Sequence, residues 1–332
     1  MQRAAIIGLS GPDLTLEEAR LLRSQRPLGV ILFARNVQSP DQLRRLTSSI
    51  REELGAEAHI LVDQEGGRVA RLRPPHFPEF PAAATFEALA PEVAEANATL
   101  LAAECVAVGF DVICAPVLDL RVKGAHDIVG DRAFSEDPGR VAALGGAWIA
   151  GMQAAGAVPV IKHIPGHGRA LADSHYELPY IELGHSDLQS DLVPFAAVAG
   201  MGAWAMTAHI LYSSWDRQRP ATLSPFIIEE IIRKEVGFDG VLLSDDLAMR
   251  ALKGTPGDLA AAVLAAGCDV ALHCTGVLEE SRAVLLHAAA VSDQTWQRLA
   301  DARAAVRSRQ GQQQPDLTAL LALRDAAMRS QA

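Results

Sequence analysis

The sequence is poor in cysteine, in excess positive charge and in long apolar runs, and each shortage removes a class of protein. The four cysteines, Cys105, Cys114, Cys268 and Cys274, form no Cys-x-x-Cys pair and stand in apolar surroundings. They read as small buried hydrophobes of a reducing compartment rather than disulfides or a zinc cluster. The formal net charge is −10, which argues against a general nucleic-acid binder. No run approaches the roughly 20 apolar residues needed to cross a bilayer. The apolar stretch at the start is too short for a signal-peptide core before Pro12 and Asp13 interrupt it. A cytoplasmic monomer with no nucleic-acid or membrane partner is expected. No Gly-x-Gly-x-x-Gly follows the first apolar run, which disfavours a dinucleotide site. No linker rich in Pro, Gly or Ser marks a second domain. Residues 1–332 are therefore read as one domain, with 292–332 as terminal helices packed on it.

What the 332 residues do contain is a regular alternation. Short apolar runs at Ala4–Leu9, Gly29–Phe33, Ile60–Val62, Val112–Leu118, Val158–Ile161, Ala203–Ala208, Gly240–Leu243 and Asp269–Leu272 read as strands. Between them lie patterns of helical period. Thr15 and Glu18 offer a capping box for the first helix, and Ser39-Pro40 an N-cap followed by proline for the second. The strand runs are continuously apolar, which suits a parallel sheet covered on both faces. About eight strand–helix units fit a closed (β/α)8 TIM-type barrel better than an open sheet. After Ser292 the pattern changes. Gln310–Pro315 is a polar break and Leu317–Met328 an apolar-striped terminal helix.

In such a barrel, reactive side chains belong at the carboxyl ends of the strands. Ionisable residues gather there. The third run ends in Asp63, Glu65 and Arg68, with Arg71 behind; the fourth in Asp119, with Gly130-Asp131-Arg132 in its loop. The fifth gives Lys162 and His163, the sixth His209, the seventh Ser244-Asp245-Asp246. Buried charges need partners, so this concentration at one rim implies a polar pocket. Asp245, at the end of a buried strand, is a candidate nucleophile, unless it or Asp246 only caps the next helix.

The densest stretch runs from Val158 to His175. Lys162 and His163 end its strand, His167 follows Pro165-Gly166, and Asp173-Ser174-His175 closes the loop. A carboxylate two residues from an imidazole can fix its tautomer and suit it to general acid/base work near neutral pH. His163, His167, Asp173 and His175 also suggest a zinc set. Histidines four apart serve a metal best on one helix face, however, and Pro165-Gly166 forbids a helix between them. No metal and no cofactor is expected.

Lys162-His163-Ile164-Pro165-Gly166-His167-Gly168 with Asp173-Ser174-His175 resembles the signature of glycoside hydrolase family 3, and more narrowly its bacterial β-N-acetylglucosaminidases of peptidoglycan recycling. Asp63-Gln64-Glu65-Gly66-Gly67-Arg68-Val69, Gly130-Asp131-Arg132-Ala133-Phe134, Thr207-Ala208-His209 and Ser244-Asp245-Asp246-Leu247 match further blocks in order. The resemblance implies Asp245 as nucleophile, His175 as general acid/base and Asp173 as its orienting partner. It implies Asp63, Arg71, Arg132, Lys162 and His163 as residues that hold the N-acetylglucosamine hydroxyls. The implied substrate is a small N-acetylglucosaminide or muropeptide, such as N-acetylglucosaminyl-1,6-anhydro-N-acetylmuramyl peptides. The stretch Arg121–Asp127 departs from the usual Asn-containing approach to the Gly130 block. Many relatives carry a second domain after the barrel, and the short form without one is expected here.

A retaining glycosidase usually pairs two carboxylates about 5–5.5 Å apart. Here one member is replaced by an imidazole on a loop, whose closure can gate the step, with Gly166 and Gly168 giving the loop its freedom. Two other readings stay open: a glycoside phosphorylase, since an imidazole does not repel phosphate as a carboxylate does, and a non-catalytic sugar-binding protein.

Overall fold

The computed structural model describes residues 1–311 and 315–330, so residues 312–314 of the polar break lie outside the described residues. Eight parallel strands close into a barrel. They are β1 (Arg3–Gly8), β2 (Pro27–Leu32), β3 (His59–Val62), β4 (Val112–Ile113), β5 (Val158–Ile164), β6 (Trp204–Thr207), β7 (Leu242–Asp246) and β8 (Val270–His273). Each pairs with its neighbour in sequence, and β8 returns to β1 with Ile6 opposite Leu272.

Period-two alternation explains why the strands read as unbroken apolar runs. Ile6, Ile31, Leu61, Val160, Leu243 and Leu272 belong to one cluster, which fills the barrel. Ile7, Val30, Val62, Ile161, Leu242 and Ala271 belong to a second cluster, shared with helix residues such as Leu43 and Val141. Both faces are buried, so neither alternates with polar residues. Trp204 sits fully buried in the inner cluster, its ring edge-on to His59 at 4.9 Å.

The helix starts follow local chemistry. Thr15 caps Leu16–Gln25 in a reciprocal box with Glu18, and Ser39 caps Pro40–Leu54. Two elements depart from the sequence reading. β4 is two residues long rather than reaching Leu118, because the Ala115 N–H turns back to the Ile113 carbonyl at 2.8 Å and Pro116 has no N–H to give the ladder. The chain still follows the barrel wall, since Leu118 N donates to Lys162 O at 2.7 Å. β5 and β7 run further than expected and carry Lys162, His163, Asp245 and Asp246 inside the strands themselves. The terminal helices are present. Asp293–Gln310 sends Leu299, Ala302 and Val306 into the inner cluster, and Leu317–Arg329 packs on Pro91–Ala107. No described helix is long and apolar enough to cross a membrane.

Candidate active site

The alternation that fills the barrel also builds the site. On β3, β5 and β7 the inward residues Leu61, Val160 and Leu243 are followed two positions later by Asp63, Lys162 and Asp245. On β2 and β6 the same step gives Phe33 and Met206. The apolar layer is thus capped by one that is polar on β3, β5 and β7 and stays apolar on β2 and β6. Asp63, Arg71, Arg132, Lys162, His163, His175 and Asp245 all line one cavity of about 280 Å³, near the small end for ligand sites.

The cavity floor is a charge network. Lys162 Nζ lies 2.8 Å from Asp63 Oδ1 and 2.7 Å from Glu65 Oε1. Arg71 Nη2 reaches the other Asp63 oxygen at 3.0 Å. Arg132 grips Glu65 with Nε at 2.8 Å and Nη2 at 2.9 Å. Burial alone would raise both carboxyls, but the cations outweigh it. Lys162 and Arg71 hold Asp63 far below the usual carboxylate range, and Arg132 and Lys162 hold Glu65 at about 2. Lys162 is the converse case: burial pushes it down, and Asp63 and Glu65 return it above its ordinary value.

A second network lies beside it. Asp119, with no exposed surface, accepts the His163 N–H at 3.1 Å, the His167 N–H at 2.6 Å and a hydrogen bond from His163 Nδ1 at 2.7 Å. Burial opposes its charge; His163 and His167 favour it, and the carboxyl is held at about 2. With Nδ1 facing Asp119, His163 turns its Nε2 away from that carboxylate. His167 is also buried, and burial with the neighbouring His163 pushes its ring down to about 4.

Asp245 accepts the N–H of Asp246 at 2.8 Å. Burial opposes its ionisation, while His209, His163, that N–H and Lys162 favour it, and the carboxyl ends below its ordinary value. His209 is itself pushed down by burial, so above its ordinary range it is neutral. The Asp246 N–H and the Lys162 ammonium support the Asp245 charge independently of that ring. Asp246 turns away. Its Oδ1 accepts from Ala248 N and Cys274 N, both at 3.0 Å. Both adjacent carboxylates line the cavity; Asp246 is the one that ties two loops together, which leaves Asp245 the freer of the two.

The Asp173–His175 pair stands at the mouth. His175 Nδ1 lies 2.7 Å from Asp173 Oδ1, which also accepts the His175 N–H at 2.9 Å. The His175 side chain is 58% exposed, that of Asp173 14%. Burial opposes the charge on Asp173, but the His175 N–H and ring hold its carboxyl below the ordinary value. Of the two loop glycines, Gly166 has φ +136°, a conformation that residues with a Cβ rarely adopt. Gly168 serves close packing instead, since a Cβ there would fall 2.0 Å from the Leu120 carbonyl oxygen.

The four residues weighed as a zinc set do not converge: His163 turns to Asp119 and His175 to Asp173. Among the described residues no group of three or more ligating side chains comes together. The unusual loop before Gly130 is held by Arg68, which donates to the carbonyls of Asp127, Ile128 and Val129 and pairs with Asp131. Ile128 thereby joins the cavity wall. Glu65 and Asp119 were visible as charges at strand ends, but their partnership with Arg132 and His163 was not. Phe33, Met206 and Met249 gave no polar signal; their only clue is the inward parity of the strands or proximity to Asp245.

Fold and cavity together define a parallel barrel with a polar, sugar-sized pocket at the carboxyl ends of its strands. The chain belongs to glycosyl hydrolase family 3, whose N-terminal domain matches residues 8–308. It is a glycoside hydrolase of the β-hexosaminidase group. A β-hexosaminidase of Pseudomonas aeruginosa is 45% identical over 280 residues, covering 82% of this chain and 83% of that protein. The NagZ structure from Neisseria gonorrhoeae with N-trifluoroacetyl-D-glucosamine superposes with a TM-score of 0.86 at 31% identity, covering 98% of both chains. A family 3 β-N-acetylglucosaminidase from Paenibacillus sp. str. FPU-7 gives 0.82 at 30% identity. It covers 93% of this chain, which spans 61% of that protein's length.

Proposed function

We propose that this protein is a retaining exo-β-N-acetylglucosaminidase. It removes the non-reducing N-acetylglucosamine from N-acetylglucosaminyl-1,6-anhydro-N-acetylmuramic acid and its peptides during cell-wall recycling. The observation that carries this reading is that Asp245 and His175 line the same cavity, one at a strand end and the other at the exposed mouth. Asp63, Arg71, Arg132, Lys162 and His163 grip the sugar. Their partners fix them before substrate arrives, which lowers the cost of ordering them. Asp245 attacks the anomeric carbon as its bond to the leaving oxygen breaks, and His175 gives that oxygen a proton. His175 then takes a proton from water, which attacks the same carbon and frees Asp245. Asp173 holds the ring and balances the imidazolium.

The blind inner end supports removal of a terminal sugar, since the apolar barrel layer lies directly beneath it. Four free, buried cysteines fit the reducing cytoplasm, where the enzyme acts as a monomer. The test is trapping with a fluorinated N-acetylglucosaminide, digestion and mass mapping. The label is expected on the peptide containing Ser244–Leu247. A label elsewhere, or none with an active enzyme, would overturn the assignment.

A further inference from the structure

Within Asp173-Ser174-His175, His175 stands at the mouth, while Ser174 is 2% exposed and lies against the cavity. The outer pair is self-contained. Asp173 Oδ1 holds both the backbone N–H and the ring Nδ1 of His175. That fixes the ring against its own backbone but not against the cavity. Other contacts secure the start of the loop: Tyr212 donates to Gly166 O at 2.7 Å, and Arg169 Nε to Asp191 Oδ2 at 2.6 Å. Neither reaches the triplet.

Ser174 does. Its Oγ lies 3.2 Å from Nε2 of His167, and its carbonyl accepts the Ala251 N–H at 3.2 Å. His167 is itself immobilised, 4% exposed with its N–H on Asp119. The hydroxyl therefore connects the triplet to the rigid end of β5, through the same carboxylate that orients His163.

We propose that Ser174 is a positioning residue for proton transfer: its hydroxyl docks the triplet on His167 and so sets where His175 stands over the cavity. This rests on the reading of His175 as the acid/base. Loss of the hydroxyl leaves sugar binding and Asp245 untouched but misplaces the proton donor. The penalty falls on glycosides whose leaving oxygen needs that proton.

The experiment compares kcat and KM of Ser174→Ala, His167→Gln, His175→Ala and the double variant Ser174→Ala/His175→Ala on an alkyl and an activated aryl N-acetylglucosaminide. Ser174→Ala is expected to lower kcat on the alkyl glycoside about tenfold, the upper end for one neutral hydrogen bond, and on the aryl glycoside about twofold or less. KM stays within about twofold in both cases. His167→Gln, a second route to the same contact, shows the same bias. In the His175→Ala background the serine change has no further effect on kcat. Equal losses on both substrates, or losses that add to those of His175→Ala, would overturn the positioning role. If His175→Ala itself discriminates between leaving groups and Ser174→Ala does not, only the anchor fails. If His175→Ala shows no such bias, the acid/base reading fails instead.

Discussion

Arg132 closes on Glu65 with two parallel hydrogen bonds, Nε to Oε2 at 2.8 Å and Nη2 to Oε1 at 2.9 Å, with both side chains at least nine-tenths buried. The bidentate form suits a guanidinium and cannot be copied by lysine. Glu65 is also the second carboxylate on Lys162. It thus ties a loop beyond β4 to the top of β5, and through Lys162 to Asp63.

Glu65→Gln should therefore be severe although Glu65 is neither the proposed nucleophile nor a proposed sugar ligand. It leaves Arg132 without a counter-charge and Lys162 with Asp63 alone. Removing one member of a buried pair costs on the order of 3–5 kcal/mol. Chemical denaturation should show a loss of that size, with kcat/KM falling in parallel. A loss below about 1 kcal/mol would mean that water enters the site and replaces the partner.

Asp245→Ala should abolish turnover of every glycoside, because no other carboxylate stands where it does. His175→Ala should behave differently. General acid/base groups contribute about 10²–10⁴-fold. That loss is expected with the natural disaccharide and should shrink strongly with an aryl glycoside whose phenolate leaves unaided. Steady-state rates on both substrates, for both variants, check the division of labour. Equal losses for His175→Ala would remove it from proton transfer.

The parts of this site differ in how far the chain alone reveals them. Lys162, His163, Asp173 and His175 stand in one short stretch, and the capping box of Thr15 and Glu18 is spelled out locally. Such features depend on neighbours within a few residues. The Lys162–Glu65–Arg132 and His163–Asp119–His167 networks do not. Their members come from β3, β4 and β5 and meet only when the barrel closes, so no local pattern announces the pairing. The end of β4 is hidden for a related reason: apolar residues continue to Leu118, while the Ala115 N–H turns back to Ile113 and Pro116 has none to give. β5 and β7 continue past the point where their sequences turn polar. In a barrel, polarity at that height marks the site instead.

Stability should fall on acidification in two stages. His167 is held at about 4 in the fold, below the ordinary value near 6.5. The unfolded chain thus binds the extra proton first. The neutral ring's contribution is complete above about 6.5 and is lost as the pH falls towards 4, at about 1.4 kcal/mol per pH unit and about 3 kcal/mol in all. Asp119 and Glu65, held at about 2, follow the carboxylate rule: their contribution is present above about 4 and disappears as the pH falls through 2. Denaturation curves between pH 7 and 5 should show His167→Gln with a flatter pH dependence than the parent. Parallel curves would place the early loss on another group, for which buried His209 is the next candidate.

Added phosphate should not divert the reaction to a sugar phosphate. An imidazole acid/base would tolerate phosphate beside it, so the decision falls to the cations around the cavity. Each is already engaged by a carboxylate: Arg68 by Asp131 at 2.8 Å, Arg71 by Asp63 at 3.0 Å, Arg132 by Glu65 at 2.8 Å and Lys162 by Asp63 at 2.8 Å. A phosphate dianion attacking the glycosyl-enzyme would need one of them released; for Arg71, Arg132 and Lys162 that leaves a carboxylate unpaired in a largely buried site, and only Asp131 is exposed to water. Water needs no such release. Product analysis with and without phosphate should give free N-acetylglucosamine in both, at equal rates. A sugar 1-phosphate accumulating in proportion to added phosphate would show that Arg68, the most exposed of the four cations, gives up Asp131 to bind it.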